Sequence, residues 1–281
     1  MTALIAIIMC LYGMVFISFF DVVGTRLPRS ESLLGRSHCE HCHVQLRFID
    51  VIPLVGYIVN RGKCASCKTK IPFYHPVIEL IGGLVFMTAY LIDGFSISFW
   101  VAVIMISVLM IETIADLRYQ VVIDRIWMIG IIPLIVIRIF QGVWLTYLIS
   151  SLSLFTFLFV LSLMYHKVTK KEALGGGDIK LYLFIGWILT PVASFLSLFI
   201  GAILGLIYSI FNKKHQNYIP LVPFLSLGVY LSYYFGAWLI DGYLAWLRMW
   251  FYVHQTKRNK PVYHRSSHRF LCSTRKCYRA F

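Results

Sequence analysis

The chain has 281 residues, of which 59% are hydrophobic and only 14% are charged, and its formal net charge is +14. A soluble domain needs a polar surface and is about 25% charged, so this composition excludes a purely soluble globular protein. The basic balance favours cytoplasmic loops and anionic lipid of a bilayer as partners, and no basic soluble module indicates a nucleic acid.

Apolar runs of near-spanning length recur along the chain. A helix needs about 20 apolar residues to cross the hydrocarbon core of a bilayer, and the aromatic residues, 16% of the chain, suit the bilayer interfaces. We therefore predict an all-α integral membrane protein with about eight transmembrane helices. The predicted spans cover residues 3–20, 77–92, 98–114, 126–140, 143–165, 181–211 as two helices divided at Pro191, and 220–241.

These spans divide the chain into four predicted segments. They are a first transmembrane helix at 1–20, a cytoplasmic four-cysteine loop at 21–76, a polytopic core of about seven helices at 77–241, and a basic tail at 242–281. The first helix lacks the basic start and the small-residue cleavage site of a signal peptide, so we expect it to be retained. We attach no function to the tail.

Lysine and arginine are concentrated in alternate links between the spans. The links at 21–76, 115–125, 166–180 and 212–219 are basic, whereas those near 93–97, 141–142 and 191 contain neither residue. The positive-inside rule places basic links in the cytoplasm. We therefore expect a multi-pass protein of the cytoplasmic (plasma) membrane whose N-terminus lies outside.

Four cysteines occur as two C-x-x-C pairs in the loop 21–76. They are Cys39, Cys42, Cys64 and Cys67. Each pair places two thiolates on one side of a tight turn, and two such turns complete a tetrahedral four-sulfur site of the kind that holds structural zinc. Reduced thiols or two redox pairs are the alternatives, and His38, His41 or His43 is near enough in sequence to replace one sulfur. Since four protein ligands leave no open position, we expect the metal to hold the fold of the loop.

Two aspartates stand at the same predicted membrane face. Asp116 opens the link after the third span, and Asp178 follows Gly175, Gly176 and Gly177. Two carboxylates that converge do not ionise together easily, so one keeps its proton near neutral pH. The ionised partner activates a water as general base and the protonated partner polarises a peptide carbonyl, which is the chemistry of an aspartic peptidase. Three successive glycines allow positive φ and close approach of a substrate chain.

The same acidic residues and glycines are also compatible with roles outside catalysis. The glycine run is also typical of a flexible helix connection, and Asp116 is able to cap a helix or pair with Arg118. Asp124 is placed to cap the fourth span, whereas Glu79 and Glu112 suit an ion pair or a neutral, hydrogen-bonded core acid. A non-catalytic zinc-loop assembly factor and a transporter of protons or metal ions are therefore alternatives to an enzyme.

Several motifs, in order, resemble the type IV prepilin peptidase family, the leader peptidases of pilus, secretion and competence pseudopilus systems. The resemblance covers about residues 10–240, from SFFDVVGTRLPRS through the two cysteine pairs to IPFYHPVIEL, DLRYQVVID, GGGD and IPLVPFLSLG. The family's first aspartate motif usually ends Ile-Pro-Asp, and here Ile123 stands in place of the proline. Because G-x-G-D is shared with presenilin-like proteases, the order of the motifs makes the resemblance specific.

The resemblance implies that Asp116 and Asp178 are the catalytic pair of a membrane aspartic endopeptidase. Its expected substrates are prepilins or pseudopilins, cut after the glycine that ends a short basic leader at the cytoplasmic face. We expect the leader to meet acidic residues and the glycine run, namely Glu79, Glu112, Asp124, Gly175, Gly176 and Gly177. Many members also methylate the new N-terminus with S-adenosylmethionine, an activity that here rests on the resemblance alone.

Overall fold

The computed structural model describes residues 1–170, 175–211 and 220–258, with side chains described up to residue 250. The predicted link 212–219, residues 171–174 of the link 166–180, and residues 259–281 of the predicted tail lie outside the described residues. Met1–Ala237 form one compact unit, which contains every site discussed below, and a second unit begins at Trp238.

Helices make up most of the described chain. They are α1 (Thr2–Arg26), α2 (Phe48–Val51), α3 (Val55–Val59), α4 (Tyr74–Asp93), α5 (Ile97–Tyr119), α6 (Asp124–Phe140), α7 (Trp144–Thr169), α8 (Gly176–Ile185), α9 (Pro191–Phe211) and α10 (Val222–Arg258). The short helices α2 and α3 belong to the loop between α1 and α4. The same loop contains two isolated antiparallel bridges, His38–Gln45 and Lys63–Lys70.

Six helices are long and apolar enough to cross a membrane, namely α1, α4, α5, α7, α9 and the Val222–Trp250 part of α10. The prediction of an all-α, multi-pass membrane protein is therefore confirmed, and the predicted number of about eight spans is approximate. The other two predicted spans correspond to shorter helices, since α6 has 17 residues and α8 has 10. The predicted division at Pro191 matches the start of α9, whereas α10 continues past residue 241.

The long helices approach one another at small residues, which is the packing that helices in lipid use in place of a hydrophobic driving force. α1 and α4 meet at Gly82, where an added Cβ would overlap Ile17, and α9 and α10 meet at Gly228, where it would overlap the Ser197 carbonyl. α5 is the most deeply buried of the six long helices, since buried residues recur along it from Phe99 to Asp116. The central helix therefore ends in one of the two predicted catalytic residues.

The connection between α8 and α9 reverses the chain among buried side chains. Arg138 of α6 donates to the carbonyl oxygens of Trp187 and Ile188 at 3.2 and 3.0 Å, and Ser150 of α7 donates to that of Leu189 at 2.9 Å. Hydrocarbon offers no water to satisfy such groups, so protein donors must do so. Arg138, only 6% exposed, thus holds the connection between α8 and α9.

Candidate active site and metal centre

Asp116 lies in the last turn of α5, and its position is fixed by the start of α10. Its Oδ2 atom accepts a hydrogen bond of 2.9 Å from the backbone N–H of Val222, and the side chain is buried, with 6% of the residue exposed. The structure thus does not bear out the suggested pairing of Asp116 with Arg118, which has other partners. A buried carboxyl group with a backbone donor is held in one orientation, as a catalytic group has to be.

Asp178 lies in the first turn of α8, half-buried, and the glycine run forms the beginning of that helix. The two aspartates are 62 positions apart in the chain, and the charge of Asp116 acts on the Asp178 carboxyl. Their role as a catalytic pair stays a prediction. The three glycines have different surroundings: a Cβ added to Gly175 would lie 3.2 Å from Asp178 Oδ2, one on Gly177 would lie 2.8 Å from Val122 Cβ, and one on Gly176 would meet nothing within 4 Å.

The turn between α5 and α6 connects the two aspartates. Val122 in this turn packs against Gly177, next to Asp178. Glu112, four residues before Asp116 on α5, is fully buried, and its Oε2 atom accepts a 2.7 Å hydrogen bond from the Ile123 N–H. The expectation that Glu112 contacts a leader stays a prediction, because its bonded oxygen faces this turn.

Asp124 begins α6 but does not cap it through its side chain. Its carboxylate instead forms an ion pair of 2.9 Å with Lys180 of α8 and accepts a 3.2 Å hydrogen bond from the Trp127 indole N–H. Both members of the ion pair are over 40% exposed. Asp124 is therefore partly open to solution, and its contact with a leader stays a prediction.

The two C-x-x-C turns have the same backbone geometry and face each other. In the first, the Cys39 N–H donates to the Val44 carbonyl at 3.0 Å, and in the second the Cys64 N–H donates to the Thr69 carbonyl at 2.8 Å. The Sγ atoms of Cys39 and Cys67 are 3.9 Å apart, those of Cys42 and Cys64 are 4.0 Å apart, and all four lie within 4.8 Å of one another.

These sulfur positions fit a tetrahedral metal ion. Zinc–sulfur bonds of about 2.3 Å separate the sulfurs of a regular tetrahedron by about 3.8 Å, close to the distances in this cluster. Thiolates are the form of cysteine that binds metal, and four cysteine sulfurs in this array are the donor set of a structural zinc site. Both the geometry and the chemistry of the donors therefore suit a metal ion.

Arg118 links the four-cysteine loop to the helices that carry the site. It donates to Glu40, inside the first cysteine pair, at 3.0 Å, and to His75 Nε2 at the start of α4 at 3.0 Å. Arginine has only donors, so Nε2 must accept and the Nδ1–H must donate to Asp21 of α1, 2.7 Å away. The guanidinium also lies 5.0 Å from the centre of the Tyr74 ring.

Glu79 of α4 holds the loop from the other side. Its Oε2 atom accepts a 2.9 Å hydrogen bond from the Leu54 N–H, at the turn between α2 and α3. Leu54 has a φ of 60°, a positive value that costs a non-glycine residue free energy, so this bond stabilises a strained turn. Contact of Glu79 with a leader stays a prediction.

Sequence patterns do not identify the roles of Arg118, His75 and Arg138. The sequence suggests Arg118 only as a partner of Asp116, and it gives His75 no role beyond its place before Pro76. The available signal is the presence of ionisable groups beside or within spans, which are costly there unless they have partners. That signal indicates that partners exist and does not identify them.

Two family models and several curated proteins are similar to this chain. The Bacterial Peptidase A24 N-terminal domain matches residues 11–92, and the Type IV leader peptidase family matches residues 101–210. A prepilin leader peptidase/N-methyltransferase of Bacillus subtilis (strain 168) is 30% identical over 246 residues, which cover 84% of this chain and 97% of that protein. No solved structure shows significant similarity to the chain.

Relatives with the same name occur in two further bacteria. The protein of Pseudomonas aeruginosa is 28% identical over 280 residues, covering 85% of this chain and 94% of its own length. That of Legionella pneumophila is 28% identical over 221 residues, covering 76% of this chain and 77% of its own length. The matched regions contain both aspartates, the glycine run and all four cysteines of the cluster. The chain therefore belongs to the type IV leader peptidase family.

Proposed function

We propose that this chain is a membrane aspartic endopeptidase that removes the short basic leader of prepilins or pseudopilins, cutting after glycine, with Asp116 and Asp178 as its catalytic pair. The observation that supports the proposal is that the α5–α6 turn, which follows Asp116, contacts Gly177 beside Asp178 through Val122, and that the charge of Asp116 acts on the Asp178 carboxyl. The relatives named prepilin leader peptidase/N-methyltransferase support the same reaction and substrate.

The two aspartates divide the chemistry between them. The ionised carboxylate takes a proton from a water molecule as the water oxygen attacks the carbonyl carbon of the scissile bond. The protonated carboxyl donates a hydrogen bond to the carbonyl oxygen, and a proton then passes to the leaving amine nitrogen as the C–N bond breaks. The hydrogen bond from the Val222 N–H fixes the orientation of the Asp116 carboxyl group before substrate binds.

The charges around the pair suit a basic leader on the cytoplasmic side. Asp124 is partly exposed, and Gly176 leaves open space beside its backbone. We propose that the leader lies at this end while the hydrophobic helix of the substrate stays in lipid. The same orientation puts the four-cysteine loop in the cytoplasm and the N-terminus outside, as the positive-inside rule favours.

Zinc is the metal we propose for the four-cysteine cluster. Four thiolates in tetrahedral array suit zinc in a structural site, which has no open position for a substrate or water. Cys39, Cys42, Cys64 and Cys67 would hold the ion, and the ion would hold the two turns of the loop together. The peptidase step therefore uses the aspartates alone.

Methylation of the new N-terminus by S-adenosylmethionine is proposed from the names of the relatives. A cavity of about 750 Å³ beside α7 is lined almost entirely by apolar side chains such as Ile149, Leu152 and Phe157, and these do not fit a charged methionine and an adenosine. We assign no residue to this cofactor and derive no step through it. Mass spectrometry of a processed pseudopilin tests for the methyl group.

The aspartates provide the decisive test of the peptidase. Asp116→Asn and Asp178→Asn should each lower leader removal from a co-expressed pseudopilin by about 10²–10⁴-fold, because the carboxyl groups transfer protons that an amide does not. Asp93→Asn is the matched control, since Asp93 ends α4 and bonds Tyr234 away from the pair. Normal cleavage by both catalytic variants would exclude the proposal, and ion flux in proteoliposomes would instead favour the transporter.

A further inference from the structure

Glu112 is a fully buried acid with an unusual partner. Its Oε2 atom accepts from the N–H of Ile123, 2.7 Å away, and within the described parts of the chain its Oε1 atom has no hydrogen-bond partner. No cation pairs with it there either. Burying a carboxyl group costs free energy unless the group is hydrogen-bonded, so the bond to the Ile123 N–H is the contact that offsets this cost.

The bonded backbone group lies in the turn that joins α5 to α6. The turn leaves α5 at Gln120, which has a left-handed φ of 55°, and enters α6 through Ile123, with a φ of −90°. The same turn places Val122 against Gly177, so that even one methyl group on this glycine would crowd it. The turn therefore touches the helix start that carries Asp178.

We propose that Glu112 is a positioning residue of the active site. Glu112 and Asp116 lie one turn apart on α5, so the bond to Ile123 fixes the α5–α6 turn relative to Asp116. Because Val122 in this turn packs against Gly177, the position of the turn also determines the position of the neighbouring Asp178. The bond sets the spacing of the two carboxyl groups without contacting substrate, and this inference rests on the proposed peptidase function.

The first test compares two replacements of Glu112. In Glu112→Gln the amide oxygen still accepts from the Ile123 N–H, so we expect cleavage within about threefold of the wild type. In Glu112→Leu the bond is lost and the turn moves, so we expect kcat to fall on the order of 10- to 100-fold with KM little changed, because misplaced catalytic groups slow the reaction step. Equal rates for wild type and Glu112→Leu would overturn the inference.

A second substitution supplies a rescue. Ile123→Pro removes the N–H that Glu112→Leu leaves without an acceptor, and the proline ring fixes φ at about −65°, near the −90° of Ile123. We expect the double variant to cleave at least about tenfold faster than Glu112→Leu, because the proline ring restrains the turn that the lost bond no longer holds and leaves no N–H unpaired. If Glu112→Leu does not accumulate in membranes, Ile123→Pro must restore accumulation. A double variant no better than Glu112→Leu contradicts the proposal.

Hydrogen exchange separates this inference from the proposed function. In detergent, the Ile123 amide should exchange at least about tenfold faster in Glu112→Leu than in Glu112→Gln, whether or not the protein is a peptidase. If Asp116→Asn abolishes cleavage but the two Glu112 variants exchange alike, the peptidase stands and the positioning role is wrong. If Asp116→Asn cleaves normally while exchange differs as expected, the peptidase fails and the contact between Glu112 and Ile123 stands.

Discussion

Arg118 donates a hydrogen bond of 3.0 Å to Glu40, and this contact joins the residue two places after Asp116 to the interior of the first cysteine pair. The two partners differ in exposure, since 15% of the Arg118 side chain and 67% of that of Glu40 are accessible. The loop and α5 are therefore in direct contact through one side chain.

Arg118→Leu should impair the enzyme more than Glu40→Gln. We expect Arg118→Leu to lower kcat on the order of 10- to 100-fold through displaced catalytic groups, because this substitution also removes the hydrogen bond between Arg118 and His75. Glu40→Gln removes one exposed ion pair, worth about 0–1 kcal/mol, so its rate should fall by at most about fivefold. Cleavage assays and metal content check this, and loss of metal from Arg118→Leu would show that its effect acts through the cluster.

Gly176 and Gly177 should respond differently to one added methyl group. Gly177→Ala crowds Val122 at 2.8 Å and should destabilise the protein by about 1–3 kcal/mol. Gly176→Ala meets nothing within 4 Å, so its thermal stability should not change. If a substrate chain approaches this backbone, Gly176→Ala raises KM in the stable protein. Equal melting temperatures for the two variants would contradict the packing.

Removal of the metal should loosen the loop between α1 and α4. We expect about one zinc per chain from four thiolates, and none after Cys39, Cys42, Cys64 and Cys67 are all changed to serine. The stripped loop should be cut by protease near α2 and α3 while the long helices stay inserted, because the ion stabilises only the fold that binds it. Zinc bound equally by the serine variant would exclude the cluster as its site.

Asp50 makes the loop sensitive to acid. Arg47 bonds to its carboxylate at 2.9 Å and, with Asn60, holds the pKa of Asp50 at about 2. A lowered pKa stabilises the fold above the unfolded value of about 3.9, and this stabilisation disappears as pH falls towards 2. Asp50→Asn should therefore expose the loop to protease at pH 5 and 7 alike. The difference in digestion rate between Asp50→Asn and wild type should shrink only between about pH 4 and pH 2, a range in which pepsin is active and measures it.

Arg138→Leu should destabilise the protein without changing its chemistry. The substitution leaves the carbonyl groups of Trp187 and Ile188 without their donor, at about 1–3 kcal/mol each. Arg138→Lys keeps the charge but not the two-pronged geometry, so its melting temperature should fall between those of wild type and Arg138→Leu. Cleavage per folded molecule should stay the same, and a slower rate at full folding would contradict a purely structural role.

Local patterns in the sequence predict the helices and the cysteine cluster because both depend on spacing along the chain. Apolar runs of spanning length mark the long helices, and the two C-x-x-C pairs indicate a four-sulfur site that the structure brings together within 4.8 Å. The end of α8 at Ile185 could not be predicted, since the apolar run continues through the following turn and gives no sign that Arg138, from a different helix, bonds to that turn.

The partners of the acidic residues could not be predicted, because they depend on which segments converge in space. Glu79 bonds to Leu54, 25 residues earlier, and Asp116 bonds to Val222, 106 residues later. Ile123 is the clearest example. Isoleucine in place of the proline of the resembled motif indicated a less rigid turn. In the structure, however, the Ile123 N–H donates a hydrogen bond to Glu112, which proline cannot do because it has no N–H.

The bond from the Val222 N–H to Asp116 also has a consequence for biogenesis. Asp116 and Asp178 are synthesised well before α10, yet the donor that orients Asp116 is the first residue of α10. A chain that is still on the ribosome thus contains both carboxyl groups before Asp116 has its orienting bond. We expect the protein to become active only when α10 has entered the membrane, so that incomplete chains leave neighbouring membrane proteins uncut.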